Sequence, residues 1–520
     1  MITIREARET DVDSIRELFV LSYGQNYVYP QYYDVQALKK LVYSDSSLLL
    51  VAEDEGQMLG TASVVMHVGA YNDLVGEFGR LVVHPDARCR GVGQLLMQGR
   101  IERVKERLHV GIVENRTAHS YSQKISAKHG FVAAGFMPAK LLHRRRESVA
   151  LYVRYFGDAL QLRRNHPRIV SEAIPLAELA MGHLGFEPDA IVDVGSAPYV
   201  LDDSFRLEQF QTQGYASLLR FERGRVHTRE IVGPLRLHYG LFQLQARDSS
   251  YLIARDGKRL AGAVGFARDP LERTVRIFEL ISASERPIRF LLEQLLIACR
   301  ESFNVEYFEI DVNAHCPRMQ RTLLELGFLP CAYVPAFTFH QVERLDVVKM
   351  VYLPSAPDFS NIILDESSDQ LAHFVMDQFL ERMVDPRIIT VAKHSRLFAG
   401  LNDEQSRYLS RNFELRVFHA GEPVFAAGEP AGQLYLVIRG EVGITAPGDG
   451  RRIAVLASGA CVGERSLMTG VDHAVATYAI GEAELAMLKV DAMDRLVRRR
   501  PDIGVILYRN LARELAEKLR

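Results

Sequence analysis

The 520 residues include no tryptophan and only five cysteines, Cys89, Cys299, Cys316, Cys331 and Cys461, each standing alone. With no CxxC pair and no His/Cys cluster at metal-ligand spacing, no metal site is expected, and single thiols fit a reducing compartment. Net charge is equally scarce. The 63 Lys and Arg residues against 65 Asp and Glu leave a formal charge of -2, so nothing global attracts nucleic acid or an anionic membrane. The basic runs Arg144-Arg145-Arg146 and Arg498-Arg499-Arg500 read as solvated faces. No apolar run approaches the roughly 20 residues of a membrane span, and the charged start Met1-Ile2-Thr3-Ile4-Arg5-Glu6 holds no signal-peptide core. These absences lead to the expectation of a cytoplasmic protein without a membrane partner.

What is present is enough apolar residue, 48%, for several hydrophobic cores over this length. Residues 1 to about 140 alternate strand and helix patterns. Ile2-Thr3-Ile4 and Ser47 to Ala52 read as strands around a capped amphipathic helix from Thr10 to Tyr23. Met58 to Val68 and Glu77 to Val83 follow, with Gly69 and Asn72-Asp73 marking a turn between them. Then comes a strand, a His84-Pro85 turn, and a loop carrying Arg88, Cys89, Arg90, Gly91, Val92 and Gly93 that opens a helix. Glycines let a backbone approach an anion closely, and the first N–H groups and positive dipole end of a helix attract it. This loop is predicted to bind phosphate.

The spacing Arg88, Gly91, Gly93 after a strand ending Val83-His84-Pro85, followed by Asn115 and Gly130-Phe131, resembles the GNAT family of N-acetyltransferases over about 140 residues. The resemblance implies an acyl-CoA, acetyl-CoA first among them, held by Leu81, Val82 and Val83 of the strand, by Arg88 to Gly93 and by Asn115. It implies an amine acceptor, a protein lysine or a small molecule. Glu77 takes the place of the carboxylate that receives the amine proton. The family's usual acid, a Tyr four residues before the Gly of Gly-Phe, is Ser126 here, which leaves Tyr121 as the proposed acid with His119 beside it. His84 is read as a turn residue. A non-catalytic sensor or scaffold that binds CoA is the alternative from another class.

A second segment repeats the pattern. Leu326-Gly327-Phe328 matches His129-Gly130-Phe131, and Gln320-Arg321 matches Gln123-Lys124 at the same offset. Tyr251 to Ala254, Arg259 to Ala267, Val275 to Ile281 and Tyr307 to Val312 are strand-like around a helix from Ile288 to Arg300. Its strand-to-helix joint, Leu280 to Ile288, has no glycine and carries Glu285, so a silent, diverged GNAT-like unit is expected. From about residue 390, short strands broken by glycine turns such as Gly448-Asp449-Gly450 suggest a β-roll or jelly roll. Gly421-Glu422, Gly440-Glu441-Val442 and the cassette Gly463, Glu464, Arg465, Ser466 resemble the cyclic nucleotide-binding domain family. That resemblance implies a cyclic nucleotide as second ligand, but the family's phosphate-binding Arg falls on His473 or Ala474, and neither is a permanent cation. The helical pattern from Ala492 to Arg520 includes no helix-turn-helix, so no DNA partner is expected. A homodimer through this module is a further expectation.

The expected fold class is therefore α/β (α+β) and multidomain: tandem GNAT-like mixed sheets with flanking helices, then a C-terminal β-roll or jelly roll with helices. The expected domains are 1–145 for the acyltransferase, 146–353 for the diverged unit, 354–389 for a helical linker and 390–520 for the cyclic nucleotide-binding-like module. The expected function is acyl-CoA-dependent N-acyl transfer with a regulatory or structural C-terminal module.

Overall fold

The structure is a computed structural model that describes residues 1–520 except 26, 28, 68–73, 144, 212–229, 233–236, 241–242, 247–248, 383–384, 431, 449 and 519–520. The turn expected at Gly69 and Asn72-Asp73 lies outside the described residues, as do Arg144 and Asp449. The chain divides into two units, Met1–Asp377 and Gln378–Arg520.

The first half of the first unit runs β1 (Thr3–Glu6), α1 (Val12–Tyr23), α2 (Val35–Val42), β2 (Ser47–Asp54), β3 (Gln57–His67), β4 (Val75–Val83), α3 (Val92–Val104), β5 (Val110–Arg116), α4 (Tyr121–Lys128), β6 (Val132–Leu142) and β7 (Arg146–Tyr155). Asp34 caps α2 by accepting from the N–H groups of Gln36 and Ala37, which supplies two of the donors a helix start leaves open. Ile15, Leu18 and Phe19 recur at helical spacing on α1 and are buried against Leu49 and Val51 of β2.

The second half repeats that order from β2 on. After β8 (Arg168–Val170), α5 (Ile174–His183) and β9 (Ile191–Asp193), it runs β10 (Arg206–Gln211), the small hairpin β11 (Leu237–Gly240) and β12 (Gln243–Ala246), β13 (Ser249–Asp256), β14 (Arg259–Asp269), β15 (Thr274–Ser282), α6 (Arg286–Ser302), β16 (Tyr307–Asn313), α7 (Pro317–Leu326), β17 (Leu329–His340) and β18 (Glu343–Tyr352). The expected strands and helix of the repeat fall within β13, β14, β15, β16 and α6.

Both halves share one 14-stranded sheet, ordered β1-β2-β3-β4-β5-β7-β6-β17-β18-β16-β15-β14-β13-β10. Read from either end the order is the same, so the halves are related by a local two-fold. The central join is one register pair, Gly135 of β6 with Ala332 of β17, where a Cβ on Gly135 would overlap Ala332. Beside it runs a buried ion chain. Lys140 of β6 pairs with Glu114 of β5 and, at 2.8 Å, with Glu309 of β16; Arg276 and Lys349 also reach Glu309, and Lys349 meets Asp311 at 2.8 Å. These cations hold the Glu309 carboxyl well below its usual range against the cost of burial.

The expected join between residues 145 and 146 lies at the start of β7, whose partners are β5 and β6 of the first half. The charged start of this strand, Arg146-Glu147, masks a core of Ser148 to Val153 that is buried on both faces. The repeated glutamines do the same work in each half. Gln123 Nε2 donates to the Arg116, His119 and Ile363 carbonyls, and Gln320 Nε2 to those of Asn313 and Ala314, which ties each helix to the end of its preceding strand. α8 (Glu366–Arg382) follows.

The second unit opens with α9 (Pro386–Ala392) and α10 (Asp403–Ser410) and packs two four-stranded sheets, β19-β26-β21-β24 and β20-β25-β22-β23. The strands are β19 (Phe413–Phe418), β20 (Pro423–Phe425), β21 (Gln433–Arg439), β22 (Glu441–Thr445), β23 (Arg452–Ala457), β24 (Cys461–Val462), β25 (Ala476–Ala479) and β26 (Ala483–Lys489). The short helix α11 (Glu464–Thr469) lies between β24 and β25, and α12 (Val490–Arg499) and α13 (Pro501–Lys518) follow the roll. Alternate residues of β21 and β26 feed two cores: Leu434 and Leu436 with Ile503 and Leu507 of α13, Tyr435 and Val437 with Phe425 of β20.

Candidate active site

β4 and β5 are parallel and pair only over Val75–Glu77 and Val110–Ile112, although β4 runs on to Val83 and β5 to Arg116. Beyond Glu77 they part. Arg80 at φ 53° belongs to a bulge where β4 slips against β3 between Thr61 and Ser63, and bulges of this kind re-aim side chains. The gap is a cavity of about 280 Å³, walled by β4 from Glu77 to Leu81 and β5 from Val113 to Arg116, and closed by α3, α4 and the tyrosines after α1.

The glycine loop sits at the same end of β4. Gly91, at φ 78°, is the N-cap of α3, a left-handed conformation that glycine adopts without penalty. The first N–H groups of a helix lack an intrahelical acceptor; in this turn the Gln94 N–H is already taken by Gly91 O at 3.1 Å. Gly93 is packed so tightly that a Cβ would lie 3.0 Å from Ile125 of α4 and 3.6 Å from Leu81. Arg88, Cys89 and Arg90 are exposed, Arg90 pairs with Asp54 at 2.9 Å, and Val82 and Val92 are buried beneath the loop, with Val83 half-buried. His84 accepts from the Asp86 N–H at 3.3 Å and so shapes the turn. Open N–H groups, a missing Cβ and two exposed arginines fit an anionic phosphate group.

The structure brings Glu77, Leu81, Asn115 and Tyr121 together on the cavity wall. Glu77 is not a solvent-facing strand end: its side chain is 16% exposed and meets Arg80 Nη2 at 2.9 Å. Asn115 is turned away from the opening, with its amide exchanging hydrogen bonds with Ser126 Oγ at 3.1 and 3.2 Å. Tyr121 is 74% exposed at the first residue of α4, beside His119. Burial, aided by Arg116, lowers the His119 pKa, so its ring is neutral near pH 7. The residues the sequence did not single out are Tyr23, Tyr27, Tyr29, Arg80, Arg100 and His143. Only the aromatic density of Tyr23 to Tyr33 carried a signal for them.

The second half has the same split, and described residues of the chain itself lie in it. β15 and β16 pair over Thr274–Ile277 and Tyr307–Ile310. Past that point Ile231 forms an antiparallel bridge with Val312, the Val232 N–H donates to Asp311 O at 3.0 Å, and the Asn313 N–H donates to Glu230 O at 2.9 Å. The chain itself fills the cleft. At the helix start, Glu285 pairs with Arg318 and Arg286 with Asp202, each at 2.7 Å, where the first half has its glycine loop.

In the roll, Gly463 at φ 90° precedes α11, and a Cβ there would lie 2.6 Å from Gln433 O. Glu464 and Ser466 are buried, and Arg465 is exposed. His473 is buried, bonded through Nδ1 to Ser466 Oγ at 3.1 Å and stacked on Phe425 with ring centres 3.9 Å apart. Burial lowers its pKa, so a neutral ring stands at His473, one of the two positions on which the family's Arg is expected to fall.

Against known families, residues 45–133 match the acetyltransferase (GNAT) domain and residues 415–500 match the cyclic nucleotide-binding domain. The chain thus combines a GNAT domain with a cyclic nucleotide-binding domain. Among curated proteins it is similar to a cyclic AMP receptor protein of Thermus thermophilus, 33% identical over 131 residues, which are 25% of this chain and 59% of that protein. It is also similar to a CRP-like cAMP-activated global transcriptional regulator of Mycobacterium tuberculosis, 31% identical over 123 residues, 23% of this chain and 54% of that one. The chain therefore spans little more than half the length of either. Among solved structures, yncA, a putative acetyltransferase from Salmonella typhimurium with its cofactor acetyl-CoA, is 19% identical with a TM-score of 0.27, covering 30% of this chain and 95% of that one. Among the described residues, no helix is long and apolar enough to cross a membrane.

Proposed function

We propose that the first half is an acyl-CoA-dependent N-acyltransferase, acting with acetyl-CoA on a primary amine, and that the C-terminal roll is its regulatory or structural module. The observation that carries this reading is the split between β4 and β5, which opens into a cavity at the glycine loop with Glu77 on its wall. The open N–H groups of α3, with Arg88 and Arg90, would hold the pyrophosphate. Bound acetyl-CoA supplies the acyl group as a thioester, whose C–S bond breaks as the amine forms the new C–N bond. Glu77 takes the proton the amine loses, directly or through water. The β4 N–H groups near Leu81 and Val82 stabilise charge on the acyl oxygen. Tyr121 returns a proton to the thiolate.

A non-catalytic CoA-binding sensor is favoured by one observation: Ser126 stands at the acid position and is bonded to Asn115. Thermal shift and turnover separate the readings. At a hundredfold excess over Kd, acetyl-CoA raises stability by about 2.7 kcal/mol if the loop is a site; no shift with any acyl-CoA defeats both readings, and a shift without acetylation of any amine leaves the sensor. For the roll, silence from cyclic AMP and cyclic GMP at millimolar concentration leaves it as structure. Sedimentation of the full chain tests the homodimer.

A further inference from the structure

Arg80 is the part of the cavity wall that acyl transfer alone does not use. The bulge places it on one face with Glu77, and it holds a left-handed φ of 53° that a residue with a Cβ adopts only when its surroundings impose it. Its side chain is 3% exposed and lies over the Tyr29 ring. Nη2 meets Glu77, but Nη1 has no hydrogen-bond partner among the described residues. A buried N–H of a cation without an acceptor is a cost that folded proteins avoid.

Arg100, 2% exposed, stands beside it. It donates to the carbonyl oxygens of Ser63 and Gly79 and to the Met97 sulfur, its Nε has no partner, and among the described residues no carboxylate forms an ion pair with it. Burial, reinforced by Arg80, pushes its pKa down to about 9, so it remains a cation near pH 7. The other charges cancel locally: Arg116 pairs with Glu147 at 2.8 Å, and Glu114 with Lys140. The cavity therefore keeps an excess of positive charge. Its aromatic hydroxyls add donors, because burial raises the pKa of Tyr23 and Tyr27 and keeps them protonated.

We infer that the acceptor is a small amine carrying its own carboxylate, of the amino-acid class, with the carboxylate bound at Arg80 and the amine at Glu77. A lining rich in donors and in positive charge complements a ligand rich in acceptors, and a guanidinium recognises a carboxylate through paired N–H groups. The opposed charges of Glu77 and Arg80 on one face match the opposed charges of a zwitterion. A volume of about 280 Å³, the share of about nine waters at roughly 30 Å³ each, suits a free amino acid. This inference rests on the acyltransferase reading and names its acceptor.

The test uses the full chain saturated with CoA for binding, or with acetyl-CoA for turnover. Free amino acids are compared with their decarboxylated amines, phenylalanine against phenethylamine and leucine against isoamylamine among them. At least one amino acid is expected to raise the melting temperature in the presence of CoA and to be acetylated with a kcat/KM about tenfold or more above its amine. Arg80→Gln is expected to erase that preference while retaining the acetyl-CoA shift, and Arg80→Lys to restore part of it. Equal or better acetylation of the decarboxylated amines, or acetylation of protein lysines alone, overturns the inference. If acetyl-CoA itself gives no shift, the acyltransferase reading is what has failed. An amino-acid shift that Arg80→Gln abolishes would still support the carboxylate site, and its absence would defeat that site as well.

Discussion

The two halves of the long sheet share strand order, strand directions and the divergence of the parallel pair at the centre, yet one split is a cavity and the other holds a segment of the chain. In the first half, β4 and β5 part beside a glycine loop. In the second, Glu230 to Val232 occupy the parting of β15 and β16, and ion pairs stand where the loop would be. A fold therefore supplies a place for a ligand without supplying the ligand's site. Among the described residues, the two splits differ in the segment Glu230 to Val232 and in the glycines Gly91 and Gly93.

The sharpest break in this comparison is Gly93→Leu, which drives a side chain into Ile125 and Leu81. It is expected to abolish the acetyl-CoA thermal shift, whereas Glu285→Leu at the matching joint leaves it intact. Next is the link between halves. Glu309→Ala leaves Lys140, Arg276 and Lys349 without their shared carboxylate and should cost about 3–5 kcal/mol in urea unfolding, as loss of one partner of a buried ion pair does; a loss below 1 kcal/mol would mean the chain of ions is not a unit.

Ile231→Ala removes a side chain that is 1% exposed from the filled cleft. It should cost about 2–4 kcal/mol and leave acetyl-CoA binding unchanged; new CoA binding in the second half would show that the plug alone kept it silent. The smallest effect concerns His119 in the first half and His315 in the second, whose pKa values burial lowers below the usual histidine value of about 6.5. The unfolded chain takes up these protons first, so the stability they contribute is present above about pH 6.5 and lost as pH falls through the folded values. His315→Gln should flatten the fall in melting temperature between pH 7.5 and 5.5, and an unchanged slope would contradict it.

Much of this was legible in the sequence because it depends on local pattern. The strand, loop and helix around Gly91 and Gly93 are contiguous, and Gly327-Phe328 repeats Gly130-Phe131 in register, so the tandem relation showed without coordinates. What escaped depends on distant segments meeting. Arg80 enters the site only because β4 bulges, and Tyr23 at the end of α1 and Tyr27 and Tyr29 after it join it from about fifty residues earlier in the chain. The plug at Ile231 is too short to carry a periodicity. Asn115 shows the limit within a motif: the position is on the wall, but its amide is committed to Ser126.

The single register pair between Gly135 and Ala332 has a consequence for how this molecule responds to dilution. That pair is one contact of a seam that the Lys140–Glu309 and Arg146–Glu306 ion pairs also hold; between separate chains such a seam would open as concentration fell, because association is governed by mass action. Here the polypeptide between β7 and β10 keeps the two halves at an effective concentration that dilution cannot change. The two halves behave as a dimer whose subunits cannot be diluted apart, so dilution acts on the melting temperature only through contacts between chains, such as the homodimer that sedimentation tests.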